Sequence, residues 1–325
     1  MKQEPVISLN EIQIANNYKN IADQGDTWAM IKYGNFIINE NDIEASRYYQ
    51  MAAYNGNIIG MNKYGQFLLS NAKNTDAFRY FQMAIDKGDV NSMPFYASML
   101  REGEICQANY AEAIYYYQTF IEKVQEEEEE KSEMKINFVF NGESVGFDYN
   151  DVLYDYMMER RKTLPYAMLN YGMMLENGQG IKADHKEASR YYKMAADRGD
   201  AIGMLKYGSM LEVGKGNQAD YEEAALYYKM AADNGNVEAM NKYAALMKIK
   251  FNYEEAALYY KMAADKGNVE AMVYYARMAE NGIGVEADNN IAAQYYKMAI
   301  ENGFDCTDDL QRVEQSQSSI CCIVF

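Results

Sequence analysis

Apolar and polar residues follow the helical period along most of the chain, and one ten-residue pattern recurs. It reads Glu-Ala-x-x-Tyr-Tyr-x-Met-Ala-Ala, and a glycine follows it closely. In the first copy Ala45, Tyr48 and Ala52 fall at i, i+3 and i+7, which places them on one apolar face of a helix. Full copies lie at residues 44–53, 187–196, 223–232 and 255–264, and weaker copies contain the aromatic pairs at 80–81, 116–117 and 295–296.

The spacing of these copies predicts a repeat protein. The second aromatic residue of each copy lies at positions 49, 81, 117, 192, 228, 260 and 296, so the steps are 32, 36, 75, 36, 32 and 36 residues. The longest step equals one 36-residue unit plus an insertion of 39 residues. Seven helix-turn-helix units of this length predict an all-α solenoid, whereas the length of 325 residues alone would favour two globular domains.

A glycine followed by an acid or an amide separates the units. Glycine is suited to the left-handed residue just past a helix end, and Asp or Asn accepts hydrogen bonds from the first turn of the next helix. The glycines are Gly25, Gly56, Gly88, Gly199, Gly235, Gly267 and Gly303, and the expected N-caps are Asp26, Asn57, Asp89, Asp200, Asn236 and Asn268.

The first helix of each unit carries Met-x-x-Tyr followed by Gly or Ala, as at Met30, Met204 and Met240. A glycine inside a helix costs about 1 kcal/mol relative to alanine, so its return at one register predicts a close approach of two helices. The 36-residue units also contain a Gly-x-Gly turn, at 178–180, 214–216 and 282–284, and the 32-residue unit around 247–252 lacks it.

This combined pattern resembles the Sel-one-like repeat family, whose repeats are relatives of the tetratricopeptide repeat. The best copies are residues 167–199 and 202–235, and the resemblance covers roughly 27–120 and 164–303. It implies a right-handed α/α superhelix that acts as an adaptor holding other proteins. The two short repeats and the insertion depart from the family pattern.

These features divide the chain into five segments. Residues 1–26 contain an N-terminal capping helix, since Ser8-Leu9-Asn10-Glu11 fits a capping box. Residues 27–123 hold repeats 1–3, residues 124–163 form an acidic insertion, and residues 164–303 hold repeats 4–7. Residues 304–325 are predicted to be a flexible polar tail.

The insertion combines three predicted elements. The run Glu126–Glu130 prolongs the preceding helix, residues 136–149 predict a β-hairpin around Asn141-Gly142, and a helix from about 151 to 162 rejoins the solenoid. Two interpretations remain open: a loop resting on its neighbours, or a binding element particular to this protein.

Composition narrows the class of partner and the compartment. Forty-eight acidic against 31 basic residues give a net charge of −17, which makes nucleic acid a poor partner. The N-terminus has no apolar signal sequence, no apolar stretch reaches the length of a membrane-spanning helix, and the four cysteines form no CxxC pair. These features predict a cytoplasmic protein.

Residues for catalysis or metal binding are scarce. His185 is the single histidine, and we expect it on the surface at a helix start. The Gly-x-Gly turns lack the Gly-Lys-Ser/Thr of a phosphate loop. We therefore expect no enzyme, no cofactor, no metal site and no small-molecule substrate. Hydrolase activity, as in cysteine-rich bacterial relatives, is disfavoured because their paired cysteines are missing.

Five of the seven units place a Lys or Asn before the first-helix tyrosine. First helices line the concave surface in related repeats, so these residues form a candidate groove for an acidic segment of a partner protein. One alternative is an ion pair within the helix, which fits only Glu238 with Lys242. Another is that lysine stems cover the apolar residues Trp28, Ile59 and Ile202 at i−4. The groove residues are Lys32, Lys63, Asn170, Lys206 and Lys242.

The chain ends in Cys322-Ile323-Val324-Phe325, which matches a CaaX box and favours a geranylgeranyl group on Cys322. One lipid gives only reversible membrane binding, and the tail has no polybasic stretch, so Cys321 is the candidate for a second lipid. The sequence thus predicts a non-catalytic scaffold tethered to the cytosolic face of a membrane. The alternative is a regulatory subunit that activates a membrane enzyme, similar in design to fungal chitin-synthase activators.

Overall fold

The computed structural model describes residues 9–103, 105, 107–133 and 149–321. Within these ranges all regular secondary structure is helical, in sixteen helices. The helices are α1 (Leu9–Asp23), α2 (Thr27–Ile37), α3 (Asp42–Tyr54), α4 (Ile58–Ser70), α5 (Asn74–Asp86), α6 (Met93–Glu102), α7 (Tyr110–Glu133), α8 (Tyr149–Asn177), α9 (His185–Ala196), α10 (Ala201–Val213), α11 (Tyr221–Asp233), α12 (Val237–Ile249), α13 (Tyr253–Asp265), α14 (Val269–Asn281), α15 (Asn289–Glu301) and α16 (Thr307–Cys321).

Consecutive helices pack on one another, and the fold is the α/α solenoid that the repeat spacing predicts. The pairs α2/α3, α4/α5 and α6/α7 form repeats 1–3, α8/α9 is repeat 4, and α10/α11, α12/α13 and α14/α15 are repeats 5–7. The chain divides into two compact units, Met1–Ala183 (unit 1) and Asp184–Phe325 (unit 2).

The aromatic residues of the repeat form its core. The second aromatic of the pair is almost fully buried in repeats 2–7 and nearly so in repeat 1. The first one meets the first-helix tyrosine edge to face, and the ring centroids of Tyr207 and Tyr227 lie 4.7 Å apart. The same contact occurs for Tyr243 with Tyr259, at 4.7 Å. Such pairs add about 0.5–1.5 kcal/mol beyond the buried area.

The glycines within first helices allow the expected close approach. A Cβ on Gly34 would lie 2.5 Å from the Tyr49 ring, and one on Gly208 would lie 2.9 Å from the Tyr228 ring. Helix interiors leave no room for such an overlap, so the missing side chain lets the second aromatic ring pack against the first-helix backbone.

The corners between repeats also form as predicted, with one exception. The seven corner glycines have φ between 84° and 101°, and Asp200 accepts a hydrogen bond from the backbone N–H of Gly203 at 2.6 Å. The prediction was wrong for Asp89, because α6 begins after Ser92. Asp89 is buried, and its carboxylate accepts hydrogen bonds from the Ser92 backbone N–H and hydroxyl at 2.8 and 2.5 Å.

The insertion continues two helices of the solenoid. Glu126–Glu130 lie within α7, as predicted, and the helix expected from about residue 151 is part of α8, which runs on through Pro165 into repeat 4. Tyr149 already belongs to α8, so the expected second strand of the hairpin is wrong at this residue. The rest of the predicted hairpin, residues 136–148, lies outside the described residues, as do Ser8 and Cys322.

The expectation of a flexible tail from residue 304 is corrected by α16. This helix buries Val313, and Cys306 just before it is also buried. Arg312 donates two hydrogen bonds to Glu280 on α14, at 2.8 and 2.9 Å, which hold the helix against repeat 7. Along the described part of the chain, no helix combines the length and apolar character needed to cross a bilayer.

Candidate protein-interaction surface

The first-helix face of unit 1 is covered by the chain's own insertion. Residues 149–163 of α8, the insertion segment, place Val152 (2% exposed) and Tyr156 (6% exposed) in one hydrophobic cluster with Ile31 and Ile59. Burying two such side chains contributes about 1.5–3 kcal/mol each. The insertion segment is therefore a docked element of unit 1.

Acidic residues of the insertion segment meet two of the predicted groove lysines. Lys63 Nζ lies 2.7 and 2.8 Å from the two carboxylate oxygens of Glu159. Lys32 Nζ lies 3.7 Å from a carboxylate oxygen of Asp155. Both lysine side chains are largely buried, so in unit 1 the acidic segment expected from a partner is supplied in cis.

A buried polar network fixes the insertion segment. The Tyr156 hydroxyl donates to the Asp89 carboxylate at 2.9 Å, and Asn91 donates its amide to the Tyr156 carbonyl at 2.8 Å. Arg160 donates to the Asn91 side-chain oxygen at 2.6 Å and pairs with Glu127 of α7. Burial raises the pKa of Asp89 above its usual value, against the hydrogen bonds that it accepts.

Asn170 is not open to a partner. Its side-chain oxygen accepts a hydrogen bond from Arg101 at 2.6 Å, and its amide donates to the Tyr166 carbonyl one turn earlier at 2.8 Å. The residue is buried, so it links α6 to α8 within unit 1.

The corresponding face of unit 2 is more exposed. Ile202 and Lys206 of α10 repeat the Ile59 and Lys63 spacing, but Ile202 is 47% exposed where Ile59 is 6% exposed. Lys206 forms no ion pair with any residue that the structure describes. An apolar group beside an unpaired cation is thus open to solvent at this position.

Lys242 occupies the same register one repeat later. Its Nζ lies 3.8 Å from the Glu212 carboxylate and 5.8 Å from the Tyr228 ring centroid, and it is partly exposed. The shown ion pair is therefore between repeats and not the expected i, i+4 pair with Glu238. We call Ile202, Lys206 and Lys242 the unit 2 face.

His185 begins α9, where its Nδ1 is buried without a hydrogen-bond partner among the described residues. Among those same residues, no group of three or more His, Cys, Asp or Glu side chains is arranged to hold a metal ion. The sequence reasoning did not identify the partners of the groove lysines, although Asp155 and Glu159 stand four residues apart on a predicted helix and so share one face.

The architecture defines a helical repeat scaffold, built from pairs of helices with recurrent corners. The Sel1 repeat matches residues 29–57, 61–89, 92–123, 165–200, 201–236, 237–268 and 269–304, more than half of the chain. The chain therefore belongs to the Sel1 repeat family. Sel1 repeats generally mediate protein–protein interactions and form a non-catalytic scaffold fold.

Solved structures show the same fold. A Sel1 repeat protein from Oxalobacter formigenes is 22% identical, with a TM-score of 0.63 over 84% of this chain and 99% of that one. A protective antigen present in uropathogenic Escherichia coli strains, which displays an SLR fold, is 18% identical, with a TM-score of 0.46 over 89% of this chain and 64% of that one. No curated protein matches the chain.

Proposed function

We propose that the protein is a non-catalytic scaffold that binds an acidic segment of a partner protein on the unit 2 face and is tethered to a membrane through prenylated Cys322. One observation carries the binding proposal: the Ile59–Lys63 site of unit 1 is covered by an acidic helix of the chain itself, while its counterpart, Ile202–Lys206, is uncovered.

Local charge supports an acidic partner. The chain carries a net charge of −17, so it repels acidic proteins at long range. Binding of an acidic segment then depends on the placement of Lys206 and Lys242 beside apolar surface, as Glu159 and Val152 meet Lys63 and Ile59 in unit 1. This arrangement favours a specific acidic segment over acidic proteins in general.

The binding proposal is tested by crosslinking in the native cell followed by mass spectrometry. Replacing both Lys206 and Lys242 by Glu reverses the charge of the unit 2 face, and we expect the crosslinks between this face and a partner to disappear. Lys186→Glu, on exposed α9 surface, is the matched charge control and should keep them. Retention of the same crosslinks in the double variant would refute the proposal.

The tether proposal rests on the CaaX sequence, since α16 ends at Cys321 and the four last residues follow it directly. We expect the wild-type protein to sediment with membranes and Cys322→Ser to remain in the cytosol. Cys321→Ser should sediment in part if a second lipid is attached there, because one lipid anchors weakly. A soluble wild-type protein would exclude the tether.

The alternative, an activator subunit of a membrane enzyme, shares both features and differs in its consequence. Deleting the protein would then abolish the activity of one membrane enzyme while other proteins keep their location. Mislocalisation of several proteins would instead support the scaffold.

A further inference from the structure

Repeat 6 lacks an internal hydrogen bond that its neighbours have. In repeat 5 the hydroxyl of buried Tyr228 donates to the Glu212 carboxylate at 2.6 Å. In repeat 7 the Tyr296 hydroxyl donates to Glu280 at 2.9 Å. Both glutamates stand in the last turn of the first helix, at a register that Lys248 occupies in repeat 6.

This exchange leaves the repeat 6 tyrosine without an acceptor. Tyr260 is 1% exposed, and its hydroxyl forms no hydrogen bond with any residue in the described part of the chain. Burying a hydroxyl without a partner costs about 1–3 kcal/mol. An acceptor from outside the repeat would therefore be favourable at this position.

The Tyr260 hydroxyl belongs to the lining of a cavity of about 210 Å³ between repeats 6 and 7. Lys248 also lines it, with Nζ 5.1 Å from the Tyr274 ring centroid and no ion pair to a described residue. Arg277, a second cation of the lining, is already paired with Asp309 at 3.3 Å. None of the lining residues is a carboxylate; they are Lys248, Tyr253, Tyr260, Tyr274, Arg277, Met278, Asn281 and Ile283.

We propose that this cavity binds a carboxylate of a partner protein, which accepts the hydrogen bond of Tyr260 and pairs with Lys248. The bound group would supply the acceptor that Glu212 and Glu280 supply in cis. The inference rests on the proposed scaffold function and assigns it an anchoring site for an Asp or Glu side chain or a chain terminus. Burial raises the pKa of Tyr260, so its hydroxyl keeps the proton that it would donate.

The test is a titration of the full-length protein, labelled with ¹³C in its tyrosine rings, followed by NMR. One probe is the N-acetyl, C-methylamide derivative of glutamate, which offers a side-chain carboxylate. The second is N-acetylglycine, which offers a terminal carboxylate, and the glutamine derivative is the neutral control. We expect saturable shifts of the Tyr260 and Tyr274 signals with at least one carboxylate and at least ten-fold weaker binding of the neutral control.

Two variants test the assigned contacts. Lys248→Glu restores the residue type of repeats 5 and 7, so the fold should be kept while binding is lost. Tyr260→Phe keeps the ring and removes the donor, and we expect about ten-fold weaker binding. Lys266→Glu, an exposed charge reversal at the end of α13, should bind as the wild type does.

The probe that binds identifies the source of the carboxylate, and either one supports the proposal. Absence of saturable binding by both carboxylates, or undiminished binding to Lys248→Glu, would overturn it. These failures leave the crosslinks at Lys206 and Lys242 unaffected. A failure of the scaffold function would instead remove those crosslinks and leave the probe titration intact.

Discussion

Replacing Tyr156 by alanine tests whether the insertion segment is an integral part of unit 1. Tyr156 is 6% exposed, and truncating a buried aromatic residue to alanine costs about 3–5 kcal/mol. The change also removes one donor from the buried Asp89 carboxylate, at about 1–3 kcal/mol for a group left short of a partner. Because these two effects overlap, we expect a loss of about 4 kcal/mol in the free energy of unfolding of unit 1.

The single tryptophan provides the assay. Trp28 lies on α2 and packs against the same hydrophobic cluster as Val152 and Tyr156, so its fluorescence reports on unit 1. With a urea m-value of about 2 kcal/mol per M, the expected loss moves the fluorescence midpoint down by about 2 M. Far-UV circular dichroism of the same samples follows the helices of both units.

Tyr154→Ala is the matched control, since this tyrosine is on the same helix and 62% exposed. Its midpoint should stay within about 0.5 kcal/mol of the wild type, as is usual for surface positions. Equal midpoints for the two variants would refute the docking of the insertion segment, and with it the reason for assigning partner binding to unit 2.

Two further changes test the packing and the last helix. Gly34→Ala should destabilise unit 1 by about 1–3 kcal/mol, measured by Trp28 fluorescence, because the new Cβ would lie 2.5 Å from the Tyr49 ring; an unchanged midpoint would contradict the close approach. The hydrogen bonds from Arg312 lower the pKa of the Glu280 carboxyl, so this pair stabilises the fold above the usual pKa of glutamate, and the gain is lost as the pH falls through the lowered pKa. Arg312→Gln should therefore cost about 0.5–1 kcal/mol at pH 7 and nothing at pH 3 in urea titrations, and a difference independent of pH would exclude the ion pair as its cause.

Local signals predicted the repeat because each one acts within a few residues. Gly199 followed by Asp200 forms a corner with a left-handed glycine and a capped helix, as the pair of residue types indicates. Asp89 shows the limit of this reasoning, since the same pair of residues there leads into a network with Tyr156, which is 67 residues further along the chain.

The candidate site could be predicted only in part for the same reason. The register of Lys63 and Lys206 is identical in sequence, and both lysines were expected to line a groove. Their difference arises because Glu159, 96 residues away from Lys63, returns to cover it, while no described residue pairs with Lys206.

The sequence by itself determined the seven repeats, their helix pairs, their corners and the all-α fold, because helical periodicity, capping and aromatic pairing are encoded at separations shorter than one repeat. Tertiary structure alone decided which face is covered and where the cavity beside Tyr260 lies. Those features depend on side chains from distant segments meeting or failing to meet, and the burial of a polar group depends on that outcome.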